Sequence, residues 1–143
     1  KKKKRVGLNF FSQLDMNKNL AIPCFLGLIA IILGAFTIHT LREVLSIQEM
    51  TSLETGIRYQ LYHVIVLLFV NSYAVFSDQF KNTISYLFFS GIIFFSGSIY
   101  AIYVAGISVK SIWFVTPFGG LLLIVGWFLM LLFFLKKVIN KKK

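Results

Sequence analysis

The polar side chains with the richest potential chemistry lie between residues 54 and 63, and one histidine near position 40 joins them. This candidate polar cluster comprises His39, Glu54, Arg58, Tyr59, Tyr62 and His63. Glu54 and Arg58 are four residues apart, so they can pair on one helix face, and Tyr62 continues that face. Both histidines are expected near the outer end of a membrane helix, where ionisable groups are costly and mark candidate functional sites.

The cluster is compatible with several kinds of chemistry. It could form a proton relay, an anion site or a metal site, or it could be an interfacial network that locks two helices together. The last interpretation is favoured because tyrosine is common at membrane interfaces. No metal site is predicted, because the histidines lack short ligand spacing such as HExxH. No nucleophile–base arrangement or phosphate-binding loop is present, so we predict no catalytic residue, no cofactor and no enzymatic activity.

Four long apolar runs must position these side chains. They are Leu20–Leu41, Ile57–Phe76, Thr83–Ala105 and Ile112–Leu135. A helix of about 20 apolar residues crosses a hydrocarbon core about 30 Å thick. Hydrophobic residues make up 57% of the chain and charged residues only 14%, unlike a soluble domain. The sequence therefore predicts an all-α membrane protein, a four-transmembrane-helix antiparallel bundle over residues 19–135.

The links between these runs differ in character. The longest, Arg42–Gly56, alternates apolar with acidic residues at helical spacing, which predicts a short amphipathic outer loop helix between helices 1 and 2. Ser77–Asn82 and Gly106–Ser111 are predicted to be tight turns. Helices joined by such short links are antiparallel neighbours.

The net charge of +10 is concentrated in two tails, residues 1–18 and 136–143. Lysines that flank membrane helices contact anionic lipid and set topology, so nucleic acid is not a predicted partner. Twelve of the fifteen Lys and Arg residues fall on one side if both termini share it. Both termini are therefore predicted to be cytoplasmic, in a bacterial inner (plasma) membrane or, as the alternative, the mitochondrial inner membrane. Met16 is a possible native start.

Small residues recur at helix-packing spacing, where they let helices approach closely in lipid. The candidate positions are Gly34, Gly97, Ala101, Ala105, Gly119 and Gly120. They fit packing within one bundle and equally fit contact with another subunit. Pro117 predicts a kink or a late start in the fourth helix, because proline lacks an N–H and clashes with the preceding turn.

Four groups of residues carry a resemblance to a known family. They are Gly34-Ala35-Phe36 with His39; Glu54-Thr55 with Arg58-Tyr59-Gln60 and Tyr62-His63; Phe95-Ser96-Gly97-Ser98-Ile99-Tyr100; and Thr116-Pro117-Phe118-Gly119-Gly120 with Gly126-Trp127. Together they resemble the small integral membrane proteins of the YgdD-like and YwdK-like family, the domain of unknown function 423 family. The resemblance runs from about Asn17 to Leu135 and implies a four-helix membrane architecture. The family has no established activity, so the resemblance leaves function open.

Three functions are compatible with this sequence. We favour a structural, accessory or assembly component of a membrane complex, because almost no surface lies outside the apolar runs. The partner would be a membrane protein or a second copy of the chain. The alternative is an oligomeric small-solute or proton transporter or channel that uses the candidate polar cluster. A membrane enzyme acting on lipid or quinone is the least favoured, because its only candidate site is that same cluster.

Overall fold

A computed structural model shows an all-helical chain. The structure describes the backbone of residues 2–140 and the side chains of residues 19–140. Its helices are α1 (Lys2–His39), a 3-10 helix (Leu41–Glu43), α2 (Ile47–Ser72), α3 (Asp78–Tyr103), α4 (Val109–Ile112) and α5 (Val115–Asn140). The prediction of an all-α fold is confirmed. The side chains of the basic tails at 1–18 and 141–143 lie outside the described residues.

The long helices pack in chain order, α1 on α2, α2 on α3 and α3 on α5. Gly27 faces Val64 and Gly34 faces Ile57. The contacting residues therefore rise in number along α1 and fall in number along α2. The same reversal relates α2 to α3, as the hydrogen bonds below show. It also relates α3 to α5, where Gly119 faces Phe95 and Gly91 faces Leu123. Neighbouring long helices are therefore antiparallel. We call the two ends the 40–46 end and the 73–77 end, after the links they carry.

Within the described part of the chain, three helices are long and apolar enough to cross a membrane. These segments are Asn19–His39, Asp78–Tyr103 and Val115–Asn140. The predicted second crossing, in α2, is not among them, although α2 is as long as α3 at 26 residues. Its apolar content is diluted by polar residues such as Glu54, Arg58 and Gln60. Four crossings thus remain a prediction.

The link between α1 and α2 is shorter than predicted. Ser46 is the N-cap of α2, and its side chain accepts a hydrogen bond from the Glu49 backbone N–H. The Glu49 carboxylate in turn accepts from the Ser46 backbone N–H at 2.8 Å, which completes a capping box. The helix then continues through Gly56 to Ser72. The separate amphipathic loop helix was therefore wrong, because its residues form the first turns of α2.

The capping box makes a prediction about acid. Hydrogen bonds from the backbone N–H and then the hydroxyl of Ser46 lower the pKa of Glu49 below its ordinary value of 4.5. The contribution of these hydrogen bonds to the stability of the fold is thus fully present above the ordinary pKa of Glu49. It is lost as the pH falls through the lowered pKa. Ser46→Ala removes the hydroxyl donor, so we expect the pKa of Glu49 to rise in a ¹³C NMR titration. The control is Ser52→Ala, because the Ser52 hydroxyl bonds to Gln48 O instead; an unchanged pKa in Ser46→Ala contradicts the capping role.

Two apolar clusters hold the helices together. Leu67, Phe88, Leu123 and their neighbours join α2, α3 and α5 toward the 73–77 end. The second cluster, around Leu53 and Ile99, joins α1, α2 and α3 toward the 40–46 end. Because each cluster involves a different set of three helices, α3 and α2 together form the centre of the packing, and α1 and α5 lie at its sides.

The predicted small-residue positions separate into packed and open ones. A Cβ on Gly119 would lie 2.7 Å from the Phe94 carbonyl carbon, so α3 and α5 touch backbone to backbone there. Gly34 and Gly120 have only ordinary van der Waals neighbours at that position. Gly97 has nothing within 4 Å. Gly119 thus lies at a close contact between α3 and α5, whereas a Cβ on Gly97 would meet no other helix among the described residues.

Two more small-residue positions follow Gly97 along α3. Ala101 is half-buried, and Ala105 is exposed just beyond the end of the helix. The chain reverses next at Gly106, whose φ of +73° is strained for residues with a side chain. The stripe predicted from Gly97 to Ala105 therefore leads out of the packed region.

Pro117 lies in the first turn of α5, which starts at Val115. The missing N–H has no partner to lose at that position, so proline is well tolerated. The helical path is interrupted earlier, between the short helix α4 and Val115. Pro117 thus stands at the start of α5, which then runs as one helix to Asn140.

Candidate functional site

A buried glutamine in the middle of α2 connects three helices. Gln60, on α2, is only 2% exposed. Its Nε2 donates to Leu26 O on α1 at 2.6 Å. Its Oε1 accepts from the Tyr100 hydroxyl on α3 at 2.9 Å. One turn away, Ser96 Oγ donates to Gly56 O at 2.7 Å. Both polar atoms of the amide are thus satisfied inside an apolar setting, where an unsatisfied amide would be costly.

A buried histidine forms a second polar centre between α2 and α5. His63 Nε2 lies 3.2 Å from Trp127 Nε1, which can only donate. His63 Nε2 must therefore be the acceptor and carry no proton. The proton sits on Nδ1, which donates to Tyr59 O at 2.7 Å. The hydrogen bonds thus define a neutral imidazole in one tautomer, with both nitrogens occupied.

Aromatic rings enclose this histidine. The His63 ring centroid lies 5.2 Å from that of Phe88 and 6.3 Å from that of Trp127. Tyr59 stacks on Phe95 of α3 at 4.8 Å. His63 itself is 5% exposed. Such surroundings disfavour an imidazolium, so the arrangement suits structural hydrogen bonding better than exchange of protons with water.

A third group of polar side chains lies near the 73–77 end. Asn71 Nδ2 donates to Ser85 Oγ at 2.9 Å, which ties α2 to α3. Lys81 Nζ donates to the Asn71 carbonyl at 3.2 Å, close to the C-terminal end of α2, where a cation is favourable. Asn19 Nδ2 donates to Asn82 Oδ1 at 2.8 Å and ties α1 to α3. These contacts fasten the ends of three helices.

The six residues of the candidate polar cluster are not assembled into one site. Glu54 and Arg58 are exposed and form no ion pair among the described side chains, although their spacing predicted one. Tyr62 is 56% exposed, and its ring lies 6.4 Å from that of Tyr59. Only Tyr59 and His63 share a hydrogen bond. The cluster therefore divides into an outward group on α2, the buried His63, and His39 at the end of α1.

The two histidines also lie at different levels. His39 is exposed at the end of α1. Val64, next to His63, faces Gly27, which precedes His39 by more than three helical turns, or about 18 Å along the axis. They do not share the depth zone that the sequence predicted. A joint proton relay or metal site formed by both histidines has no geometric support.

The arrangement offers little for catalysis. Among the described side chains, no three His, Cys, Asp or Glu residues come close enough to hold a metal ion. The hydroxyls nearest the polar centres are committed to other partners. Ser98 Oγ donates to Phe95 O at 2.9 Å, so the 2.6 Å contact with Thr116 must be donated by Thr116. What the site can do is hold helices in a fixed register.

Sequence reasoning missed four participants in this site. They are Gln60, Ser96, Tyr100 and Trp127. A signal for Gln60 was present, because Leu53, Ile57 and Val64 place it on the apolar face of α2 at helical spacing. A polar residue on such a face must find a partner. Nothing in the sequence shows that Tyr100 or Trp127 would be that partner.

The fold and these buried hydrogen bonds define a helical membrane protein whose interior polar groups join its helices. The family model described as Protein of unknown function (DUF423) matches residues 33–120. This match extends from the end of α1 to the start of α5 and takes in most of the hydrogen bonds above. The chain belongs to that family, as the resemblance of its motifs predicted.

Curated relatives support the same membership. The chain is 34% identical to a "UPF0382 membrane protein" of Haemophilus influenzae over 78% of this chain and 88% of that protein. It is 34% identical to the "UPF0382 membrane protein YwdK" of Bacillus subtilis over 71% of this chain and 82% of the relative. It is also 34% identical to the "UPF0382 inner membrane protein YgdD" of Escherichia coli over 73% and 79%, respectively. No solved structure matches the chain.

Proposed function

We propose that the chain is a non-enzymatic, multi-pass membrane protein with an accessory or assembly role in a membrane complex. The observation that carries this proposal is that three interior polar side chains are engaged in hydrogen bonds. Gln60, His63 and Tyr100 use their hydrogen-bonding atoms on one another's helices or on neighbouring backbone. Groups committed in this way stabilise one arrangement of helices and leave the outer surface as the functional surface.

The distribution of apolar side chains supports a membrane setting for that surface. Large apolar residues are exposed along all the long helices, among them Ile31 at 62%, Ile93 at 60% and Ile124 at 63%. On a water-soluble protein such extensive patches would drive aggregation. In a membrane the same surface contacts lipid chains or other membrane proteins, and an accessory protein offers mainly such contacts.

The proposal includes four crossings with both termini in the cytoplasm of a bacterium. The 26 residues of α2 would span about 39 Å, enough for a bilayer core of about 30 Å. The excess of positive charge on the side of the termini supports the orientation. In a Cys24→Ser background, an impermeant maleimide should label Ser46→Cys in intact cells and Ser77→Cys only after permeabilisation. The reverse pattern, or labelling of both in intact cells, contradicts this topology.

The accessory role predicts a stoichiometric partner. The chain, tagged and expressed at its native level, is extracted in mild detergent, and the proteins that remain bound are quantified by mass spectrometry. We expect one membrane protein in fixed ratio to the chain. Gly97→Leu tests the open face of α3, because a Cβ at that position would have no described atom of the chain within 4 Å. Loss of the partner in that variant places the contact on α3.

Two outcomes contradict the accessory role. One is a homogeneous homo-oligomer with no other protein in fixed ratio. The other is pH-dependent flux in proteoliposomes that is lost in His63→Ala, which would support the transporter alternative. That alternative has less geometric support, because both nitrogens of His63 are occupied and the other cluster residues point elsewhere.

A further inference from the structure

The outward face of α2 carries a continuous stripe of exposed side chains at intervals of three and four residues, the spacing of one helix face. This α2 stripe comprises Ile47, Thr51, Glu54, Arg58, Tyr62, Ile65 and Phe69. The buried face that packs on α1 and α3 includes Leu53, Gln60 and Leu67 instead. The stripe therefore lies on the exposed side of α2, and its first turns border an open cavity shared with Ile38 of α1 and Arg42.

The middle of the stripe is polar, and its two charged groups have no partner among the described side chains. Thr51 Oγ1 donates to Ile47 O, and Thr55 Oγ1 beside it donates to Thr51 O, so both threonine hydroxyls are satisfied within the helix. Glu54 and Arg58 have neither an ion pair nor a hydrogen bond among the described side chains. One acid and one base, a single helical turn apart, are thus left unmatched on one face.

Contact with lipid chains is unfavourable for the charged side chains of Glu54 and Arg58. Because Ile57 faces Gly34, Arg58 lies near the level of Leu33, about 9 Å below the end of α1. Charged side chains at such depth normally face protein or a polar cavity and are paired. A lipid phosphate could approach Arg58, but the Glu54 carboxylate one turn nearer the headgroups would repel it.

We infer that the α2 stripe is the interface of a two-fold symmetric dimer of this chain, with Arg58 of each copy paired to Glu54 of the other. Copies inserted in the same orientation place their α2 helices parallel across the two-fold axis. Arg58 and Glu54 of opposite copies are then offset by about 6 Å along the axis, which an extended arginine can reach. The stripe is self-complementary in charge, as a two-fold interface requires.

The apolar residues of the stripe complete the contact on either side of the charges. Ile47 is 86% exposed at one end, and Ile65 is 63% exposed at the other. In the dimer each would face its own counterpart near the axis. Charge pairs at the centre fix the register of the two helices, and the apolar residues supply packing. The dimer is independent of the accessory role, since it concerns a different face from the open side of α3.

Disulfide cross-linking in native membranes tests the contact without disturbing the fold. The background is Cys24→Ser, because Cys24 is itself exposed. Thr51→Cys and Ile65→Cys lie on the stripe, near the proposed axis, where Cα atoms within about 7 Å permit a disulfide. We expect both variants to form covalent dimers on mild oxidation. The matched control is Ile93→Cys on the exposed face of α3, which should remain monomeric.

Charge reversal tests the pairing itself. Arg58→Glu and Glu54→Arg each place like charges together, so the dissociation constant in lipid vesicles, measured by energy transfer on dilution, should rise at least about 30-fold. The double variant Glu54→Arg/Arg58→Glu restores opposite charges and should recover the wild-type value. Recovery in the double variant cannot arise from a general loss of folding.

Three results overturn the dimer. The first is a monomer in vesicles at all protein densities, and the second is cross-linking of Ile93→Cys as efficiently as of the stripe variants. The third is a monomer that retains an anionic phospholipid in native mass spectrometry and loses it in Arg58→Glu, which assigns the stripe to lipid. A dimer found without any other bound protein supports this inference and contradicts the accessory role. The experiments can therefore disprove either claim without disproving the other.

Discussion

Replacing Gly119 with alanine is expected to destabilise the protein more than any other single methyl addition at a glycine of the long helices. The new Cβ would lie 2.7 Å from the Phe94 carbonyl carbon and 2.8 Å from the Phe95 Cα. Both are backbone atoms, so no rotamer change relieves the overlap and α3 and α5 must separate. Overpacking of this kind costs about 1–3 kcal/mol. We expect about 3 kcal/mol, since the strained atoms belong to two packed helices.

The measurement is the free energy of unfolding from titration of detergent-solubilised protein with sodium dodecyl sulfate. The matched control is Gly97→Ala, which adds the same methyl group where nothing lies within 4 Å. That variant should be unchanged or slightly more stable, because alanine favours the helix over glycine by up to about 1 kcal/mol. Equal losses in the two variants would show that α3 and α5 do not pack closely at Gly119.

Gly126→Ala separates side-chain from backbone overlap at the same interface. Its Cβ would meet the Phe88 ring, a side chain that can rotate, whereas Gly119 meets only backbone. The comparison shows why spacing alone could not rank the glycines. In the sequence, Gly97 and Gly119 both stand among small residues at packing spacing. Which one touches a neighbour depends on how the helices are rotated, and that rotation is set by contacts distant in sequence.

Helix identity could be predicted more reliably than helix ends. Apolar runs of about 20 residues are sufficient to place α1, α3 and α5 in the chain. The start of α2 was misplaced because the outer segment was interpreted by its amphipathic pattern alone. Ser46 followed three residues later by Glu49 is the sequence signature of a capping box, and it would have placed the start correctly.

The candidate site was harder to predict, for a different reason. Glu54, Arg58 and Tyr62 share a face, and they were predicted to belong to an interfacial network that locks the first two helices together. The structure turns this face outward, because the more apolar opposite face, with Leu53, Val64 and Leu67, is buried against α1 and α3. Gln60 and His63 belong to that buried face. Their partners, Tyr100 and Trp127, come from other helices, and no local pattern links residues so far apart.

Replacing Gln60 with leucine should test whether the buried polar groups hold the helices together. The change approximately keeps the side-chain volume but removes the amide. The Tyr100 hydroxyl then loses its acceptor, and the hydrogen bond from α2 to the Leu26 carbonyl on α1 is lost. Leaving a buried polar group without a partner costs about 1–3 kcal/mol, although membrane hydrogen bonds often contribute less. We expect a loss of about 1–2 kcal/mol in the free energy of unfolding of Gln60→Leu, measured by the same titration.

The decisive comparison is the double variant Gln60→Leu/Tyr100→Phe, which removes both partners. If the hydrogen bond at 2.9 Å is formed, the double variant should be more stable than the sum of the two single losses implies, because no unpaired group remains. Strict additivity would mean that the two side chains act independently. Suppose that the double variant regains stability and still forms the dimer and the partner complex. The interior hydrogen bonds would then not be needed for the contacts made by the surface. The buried polar groups would then serve only to fix the helices, and function would reside in the faces that those helices present.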